Sequence, residues 1–205
     1  AGTTKYVEFF RNKLTRVEVI DMTSPSLKKS LEALKDGHPI SVDFEWHPDF
    51  SARSNNPISL FQFCSSKGVL IVLNAKNIVQ NQSNLKSPSD FKKACPNGIS
   101  VLQKFFSSNS FYGKGMDFDK MKVKQLFGRS FQFEDIAVTR LQPHKYTLNF
   151  SKLVEMICGK TVAQFKDKKI STSKWNKRPL SSKQMIYAAF DAFATRLFWK
   201  HFVEK

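Results

Sequence analysis

The run Ile40-Ser41-Val42-Asp43-Phe44-Glu45-Trp46 alternates apolar and polar residues. That period of two predicts a strand with Ile40, Val42, Phe44 and Trp46 on one face and Asp43 and Glu45 on the other. A shorter strand is expected at 16–20. Ser24 as a cap and Pro25 at the first helical position then open a helix that reaches residue 35 and stops at Gly37. Two β-rich runs, 58–63 and 69–73, are separated by Ser65-Ser66-Lys67-Gly68 and extend the Asp43 strand into an antiparallel meander. Residues 74–98 are rich in Asn, Ser, Lys and Pro and read as a surface connection with a short helix at 91–94. Beyond them the pattern predicts a helix at 99–106, a strand at 110–112, an amphipathic helix at 118–127 stopped by Gly128, and a short helix at 151–158 ending at Gly159. A basic, polar stretch at 160–178 leads to the last helix. Pro179 and the capping-box pair Ser181 and Gln184 mark its start. Strands first, then helices with a strand returning between them, indicate one α/β domain with a mixed sheet over residues 1–205.

Composition narrows the class. The 205 residues are 41% hydrophobic and include 20 Phe, enough for a well-buried core. Lys and Arg number 33 against 17 Asp and Glu, and the resulting net charge of +16 favours a polyanionic partner such as nucleic acid. Cys64, Cys95 and Cys158 form no paired motif, which argues against a disulfide framework or a zinc site and for a reducing, intracellular setting, nuclear or cytoplasmic. The charge alone is also compatible with an acidic membrane surface, but no run approaches the length of a membrane span, no signal-peptide pattern opens the chain, and no membrane partner is expected. The chain begins with Ala, and a fragment of a longer protein is expected.

Three acidic constellations stand out. Two carboxylates on one strand face repel unless something holds them together, and hard divalent ions prefer such oxygen ligands. On the last helix Tyr187 and Asp191 are spaced i and i+4 and share a face, while Met185, Ile186, Ala189, Phe190, Ala192 and Phe193 make much of the rest apolar. A carboxylate there needs a cation, a donor or a wet cleft. Between these sites, Gly113-Lys114-Gly115-Met116-Asp117-Phe118-Asp119 leads from a strand into a helix, where either aspartate fits a helix start.

In this order, Asp-x-Glu on a strand, Asp at a helix start and Tyr-x-x-x-Asp on a final helix resemble the tyrosine branch of the DEDD superfamily of 3′-to-5′ exonucleases, which includes RNase D and Werner-type enzymes. The resemblance covers roughly residues 16–202 and extends to Pro57-Ile58-Ser59-Leu60-Phe61-Gln62-Phe63-Cys64, to the helix that ends in Gly159-Lys160, and to Ser173-Lys174-Trp175-Asn176-Lys177-Arg178-Pro179-Leu180. The family pattern Gly-x-Gly-x-x-x-Asp selects Asp119 over Asp117. Ile186 stands where the histidine branch has its His, so Tyr187 places the chain in the tyrosine branch.

The resemblance implies a ribonuclease H-like mixed sheet, antiparallel in its first three strands and flanked by helices. It also implies a 3′-to-5′ exonuclease that releases nucleoside 5′-monophosphates from RNA or DNA. Two Mg²⁺ or Mn²⁺ ions would be held by Asp43, Glu45, Asp119 and Asp191, with Tyr187 orienting the attacking water. Single-stranded or 3′-ended nucleic acid is the expected partner. Trp46 and Trp175 are candidates to stack on terminal bases, and Lys174, Lys177 and Arg178 to contact phosphates. The alternative is a catalytically silent nucleic-acid- or protein-binding scaffold of the same fold.

Overall fold

The computed structural model describes residues 2–10, 13–136, 150–159 and 165–204. Seven strands form one mixed sheet: β1 (Thr3–Phe10), β2 (Lys13–Asp21), β3 (Ile40–Trp46), β4 (Ile58–Ser65), β5 (Gly68–Leu73), β6 (Phe111–Gly113) and β7 (Phe133–Asp135). Their order across the sheet is β1-β2-β5-β4-β3-β6-β7. The β3–β4–β5 meander is antiparallel, with Asp43 opposite Gln62 and Phe61 opposite Val72. The β2–β5, β3–β6 and β6–β7 pairs are parallel.

Two strands escape the hydrophobic pattern for opposite reasons. β1 is an edge strand paired antiparallel with β2 and exposed along most of its length, so it carries no clean alternation. β7 is only three residues long. The helices are α1 (Leu27–Glu32), α2 (Lys76–Gln80), α3 (Pro88–Ala94), α4 (Pro96–Ser108), α5 (Asp117–Phe127), α6 (Phe150–Cys158), α7 (Lys168–Ser171) and α8 (Ser182–Phe202). Pro25 falls in a turn and not at the head of α1, because Ser24 accepts from the Leu27 amide and the helix begins at Leu27. Residues 74–98 are more ordered than their polar composition suggests. Ile78, Val79 and Phe91 are buried there, and a Ser87–Asp90 capping box starts α3.

Both faces of the sheet are covered. On one, Val42, Phe44, Phe61 and Phe63 pack against α1 and α3–α5. Phe106 of α4 sits at the centre of this layer, its ring 5.2 Å from Phe111, 5.7 Å from Phe133 and 6.1 Å from Phe44. On the other, Leu60, Cys64, Ile71 and Tyr112 meet α6 and α8, and Trp199 stacks on Tyr112 at 4.2 Å. β4 is buried along its whole length, which is why its sequence reads as a continuous apolar run. Cys64 and Cys95 are free and buried, and burial pushes the Cys64 thiol up to about 12, so it stays protonated.

Candidate functional site

The carboxylates of β3 project from the face covered by α8. That helix lies close because Ala188, Ala189 and Ala192 present only methyl groups to the sheet, and the Ser41 hydroxyl donates to the Ala192 carbonyl at 2.8 Å. The approach brings Asp191 to β3, and carboxylate oxygens of Asp43, Glu45 and Asp191 lie within 4.8 Å of one another. Gln62, opposite Asp43 on β4, sends its amide toward Glu45 at 3.5 Å. Tyr187 lies one turn before Asp191 on the same helix face, and both are nearly inaccessible.

Asp119 arrives from α5, on a turn that only these residues allow. Gly115 has φ +67, and a Cβ at Gly113 would collide with the Met116 thioether and crowd the Val42 carbonyl. Asp135 of β7 clamps the turn by accepting from the Gly115 and Met116 amides at 3.0 and 2.7 Å. Asp119 is buried while Asp117 is exposed, which separates the two candidates in space. Asp119 is not within the 4.8 Å cluster of three. Its charge is nonetheless the strongest influence on Asp43 after burial.

The electrostatics are those of a crowded acidic pocket. Burial, then Asp119 and Asp191, raise Asp43 well above the usual carboxylate range. Burial, then Asp43 and Asp191, do the same to Glu45. Asp119 is pushed up to about 7, chiefly by burial. Burial also raises Asp191, against the pull of Lys166. Desolvated oxygen donors that repel one another fit a hard divalent cation, and the donor set contains no sulfur or imidazole. The Tyr187 hydroxyl is raised to about 12 by burial and Asp191, so it stays protonated at neutral pH.

The expected nucleic-acid contacts divide. Trp175 is fully buried, its indole nitrogen donating to the Ser171 carbonyl at 3.0 Å and its ring 5.9 Å from that of Tyr187. It supports Tyr187 from behind and has no surface for a base. Arg178 likewise turns inward, donating to the carbonyls of Trp175 and Ser59 at 2.8 Å each. Its guanidinium joins the approach to α8 onto the end of β4, and Arg178 stays half-buried there. Lys174 and Lys177 are exposed, Trp46 is half-buried, and Lys160 lies outside the described residues.

A cleft of about 380 Å³ opens beside Glu45, lined by Trp46, Phe118, Met121 and Lys122 among others. Phe118 and Met121 are 69% and 56% exposed, a large apolar surface to leave in water. Larger hollows, of about 660 Å³ between α1 and α4 and about 610 Å³ beside the β1–β2 hairpin, contain none of the clustered carboxylates.

Two lysines hold structural positions that the hydrophobic pattern does not mark. Lys122, one helical turn after Asp119, is buried and donates to Asp49 and the Asn56 carbonyl at 2.7 Å each and to Asn55 at 3.1 Å, fastening the β3–β4 loop to α5. Its i+3 spacing from Asp119 was a usable signal. Lys166 donates to Asp191 at 2.8 Å and to the Tyr187 hydroxyl at 3.1 Å. Nothing in its basic surroundings distinguishes it by sequence.

The 3′-5′ exonuclease family model matches residues 19–205. The chain belongs to the 3′-5′ exonuclease family. It is 28% identical over 165 residues to the mouse bifunctional 3′-5′ exonuclease/ATP-dependent helicase WRN, a match that covers 78% of this chain and 10% of that protein. The chain thus spans about a tenth of that relative's length. Its fold is that of the Nibbler EXO domain of Aedes aegypti, with a TM-score of 0.64 at 20% identity over 91% of this chain and 87% of the other. The Trypanosoma brucei RNase D in complex with RNA U12 superposes with a TM-score of 0.63 at 17% identity, covering 91% and 63% of the two chains. For this exonuclease domain the mixed α/β sheet expected from sequence is the observed one.

Proposed function

We propose that the domain is a catalytically competent, metal-dependent exonuclease that removes nucleoside 5′-monophosphates from the 3′ end of a nucleic acid strand. The observation that carries the reading is the convergence of Asp43, Glu45 and Asp191 within 4.8 Å, with Asp119 facing them from α5. Asp43, Glu45, Asp119 and Asp191 would hold two divalent ions, Mg²⁺ or Mn²⁺, which when bound supply an activated water and stabilise the departing 3′ oxygen. The chain's own groups do the rest. Gln62 steadies Glu45. Tyr187 keeps its proton and so orients the water by hydrogen bonding and does not act as a base. Trp46, Phe118 and Met121 offer an apolar seat for the terminal nucleoside beside Glu45, and exposed lysines such as Lys174 and Lys177 hold phosphates by charge.

The test is digestion of 5′-labelled single-stranded RNA, single-stranded DNA and recessed duplexes with Mg²⁺ or Mn²⁺. A ladder shortening one nucleotide at a time from the 3′ end, abolished by EDTA, is expected. A 3′-blocked substrate should stall the enzyme, and internal cleavage of it would replace the reading with an endonuclease.

A further inference from the structure

Lys166 is unusually placed for a lysine. Its side chain is 15% exposed, and its ammonium lies 4.2 Å from the Phe150 ring centroid and 4.6 Å from that of Tyr187 while donating to Asp191 and the Tyr187 hydroxyl. Its backbone is held on both sides. Phe165 stacks on Phe190 of α8 at 5.0 Å, and Asp167 caps α7 through the Lys169 amide at 2.8 Å. Between these two anchors the side chain turns inward onto Asp191 and Tyr187. Other lysines of the same segment, Lys168, Lys169 and Lys174, are exposed.

We propose that Lys166 is a resident cation of the site, which competes with a divalent ion for Asp191 and fixes the direction of the Tyr187 hydroxyl. Rivalry follows from charge. The ammonium already neutralises the carboxylate of Asp191, and a dication binding there meets a positive group within hydrogen-bond distance of its ligand. Orientation follows from donor inventory. An ammonium can only donate, so the phenolic oxygen accepts from Lys166 and must send its single proton elsewhere, toward the carboxylates and any water among them. Lys166 is therefore a positioning residue: it acts on the reaction through Asp191 and Tyr187.

The inference rests on the metal-site reading above, and the experiment separates the two. Calorimetric titration of Mn²⁺ into the metal-free protein is compared for wild type, Lys166→Met, Lys166→Gln and Asp191→Asn, with thermal unfolding as a check on folding. Removing the charge should tighten Mn²⁺ binding by about tenfold in both lysine variants. It should also lower kcat with little change in KM, and Lys166→Met should add little further loss in a Tyr187→Phe background. Glutamine keeps a donor without charge, so it should match methionine in metal affinity and recover part of kcat. Unchanged or weaker Mn²⁺ binding in folded Lys166→Gln overturns the competition, and unchanged kcat in both variants overturns the positioning role. If Asp191→Asn binds Mn²⁺ as wild type does, the metal-site reading itself has failed.

Discussion

Phe44 and Asp43 are neighbours on β3, yet Phe44 packs edge-on against Phe61 at 5.8 Å while Asp43 joins a group of mutually repelling carboxylates. One face of the strand is satisfied by shape alone, while the other crowds acidic groups that the Phe44 and Gln62 amides only partly offset. The same division separates Lys122 and Lys166. Lys122, on the Trp46 side, has its ammonium matched by three oxygens of the β3–β4 loop. Lys166 shares its ammonium between Asp191 and Tyr187, two groups of the proposed metal site. On β3 itself, apolar packing lies on one side and the proposed reactive groups on the other. Substitutions on the two faces should therefore have separable effects.

The largest contrast is between the strand neighbours themselves. Asp43→Asn should lower hydrolysis by roughly 10³-fold or more while leaving the unfolding midpoint of the metal-free protein unchanged or higher. Phe44→Ala should cost about 3–5 kcal/mol in urea denaturation, with activity kept wherever the protein stays folded. If Asp43→Asn unfolds the protein, the division is wrong.

pH sharpens the same contrast. Asp119 moves from 3.8 to about 7 in the folded state, and Asp43 and Glu45 are also raised. A raised carboxylate favours folding when protonated, so its stabilisation is full below 3.8 and is lost as pH rises through about 7. Metal-free protein should therefore melt at lower temperature at pH 8 than at pH 5, and Mg²⁺ should restore much of the loss at pH 8. Phe44→Ala should leave this slope as it is. A flat metal-free profile would show that burial and mutual repulsion do not raise these carboxylates.

Lys122→Met should cost about 1–3 kcal/mol, less than Phe44→Ala, because Asp49 is partly exposed and can return to water. By loosening the cleft wall it should raise KM more than it lowers kcat, the reverse of the split expected at Lys166. Smallest of all, Lys177→Ala should leave stability within about 0.5 kcal/mol and reduce the salt slope of binding by about one phosphate contact, read from Kd against salt concentration.

Much of this division was visible in the chain. The alternation from Ile40 to Trp46 placed both carboxylates on one face, and the Tyr187–Asp191 spacing placed both groups on one side of a capped helix. Those patterns are local, so the folded chain keeps them. What escaped depends on contacts across long stretches of sequence. Trp175 and Arg178 sit in a basic, polar segment that looks like surface, yet one ring fills the space behind Tyr187 and one guanidinium satisfies carbonyls at the ends of β4 and of its own turn. Asp135 gave no motif because its partners are backbone amides of a turn on another element. β1 shows no clean alternation because an edge strand exposed along most of its length buries little beyond Phe9.

β4 carries one more consequence. With both faces covered and a neighbour on each side, its amides can reach water only when the sheet comes apart, whereas β1 borders solvent along its edge. β1 is nevertheless tied to the flank of the site, because its Phe9 is buried against Phe165, Phe190 and Phe193. Loosening of that edge would reach Phe165, the neighbour of Lys166, and Phe190 of α8 without passing through β4.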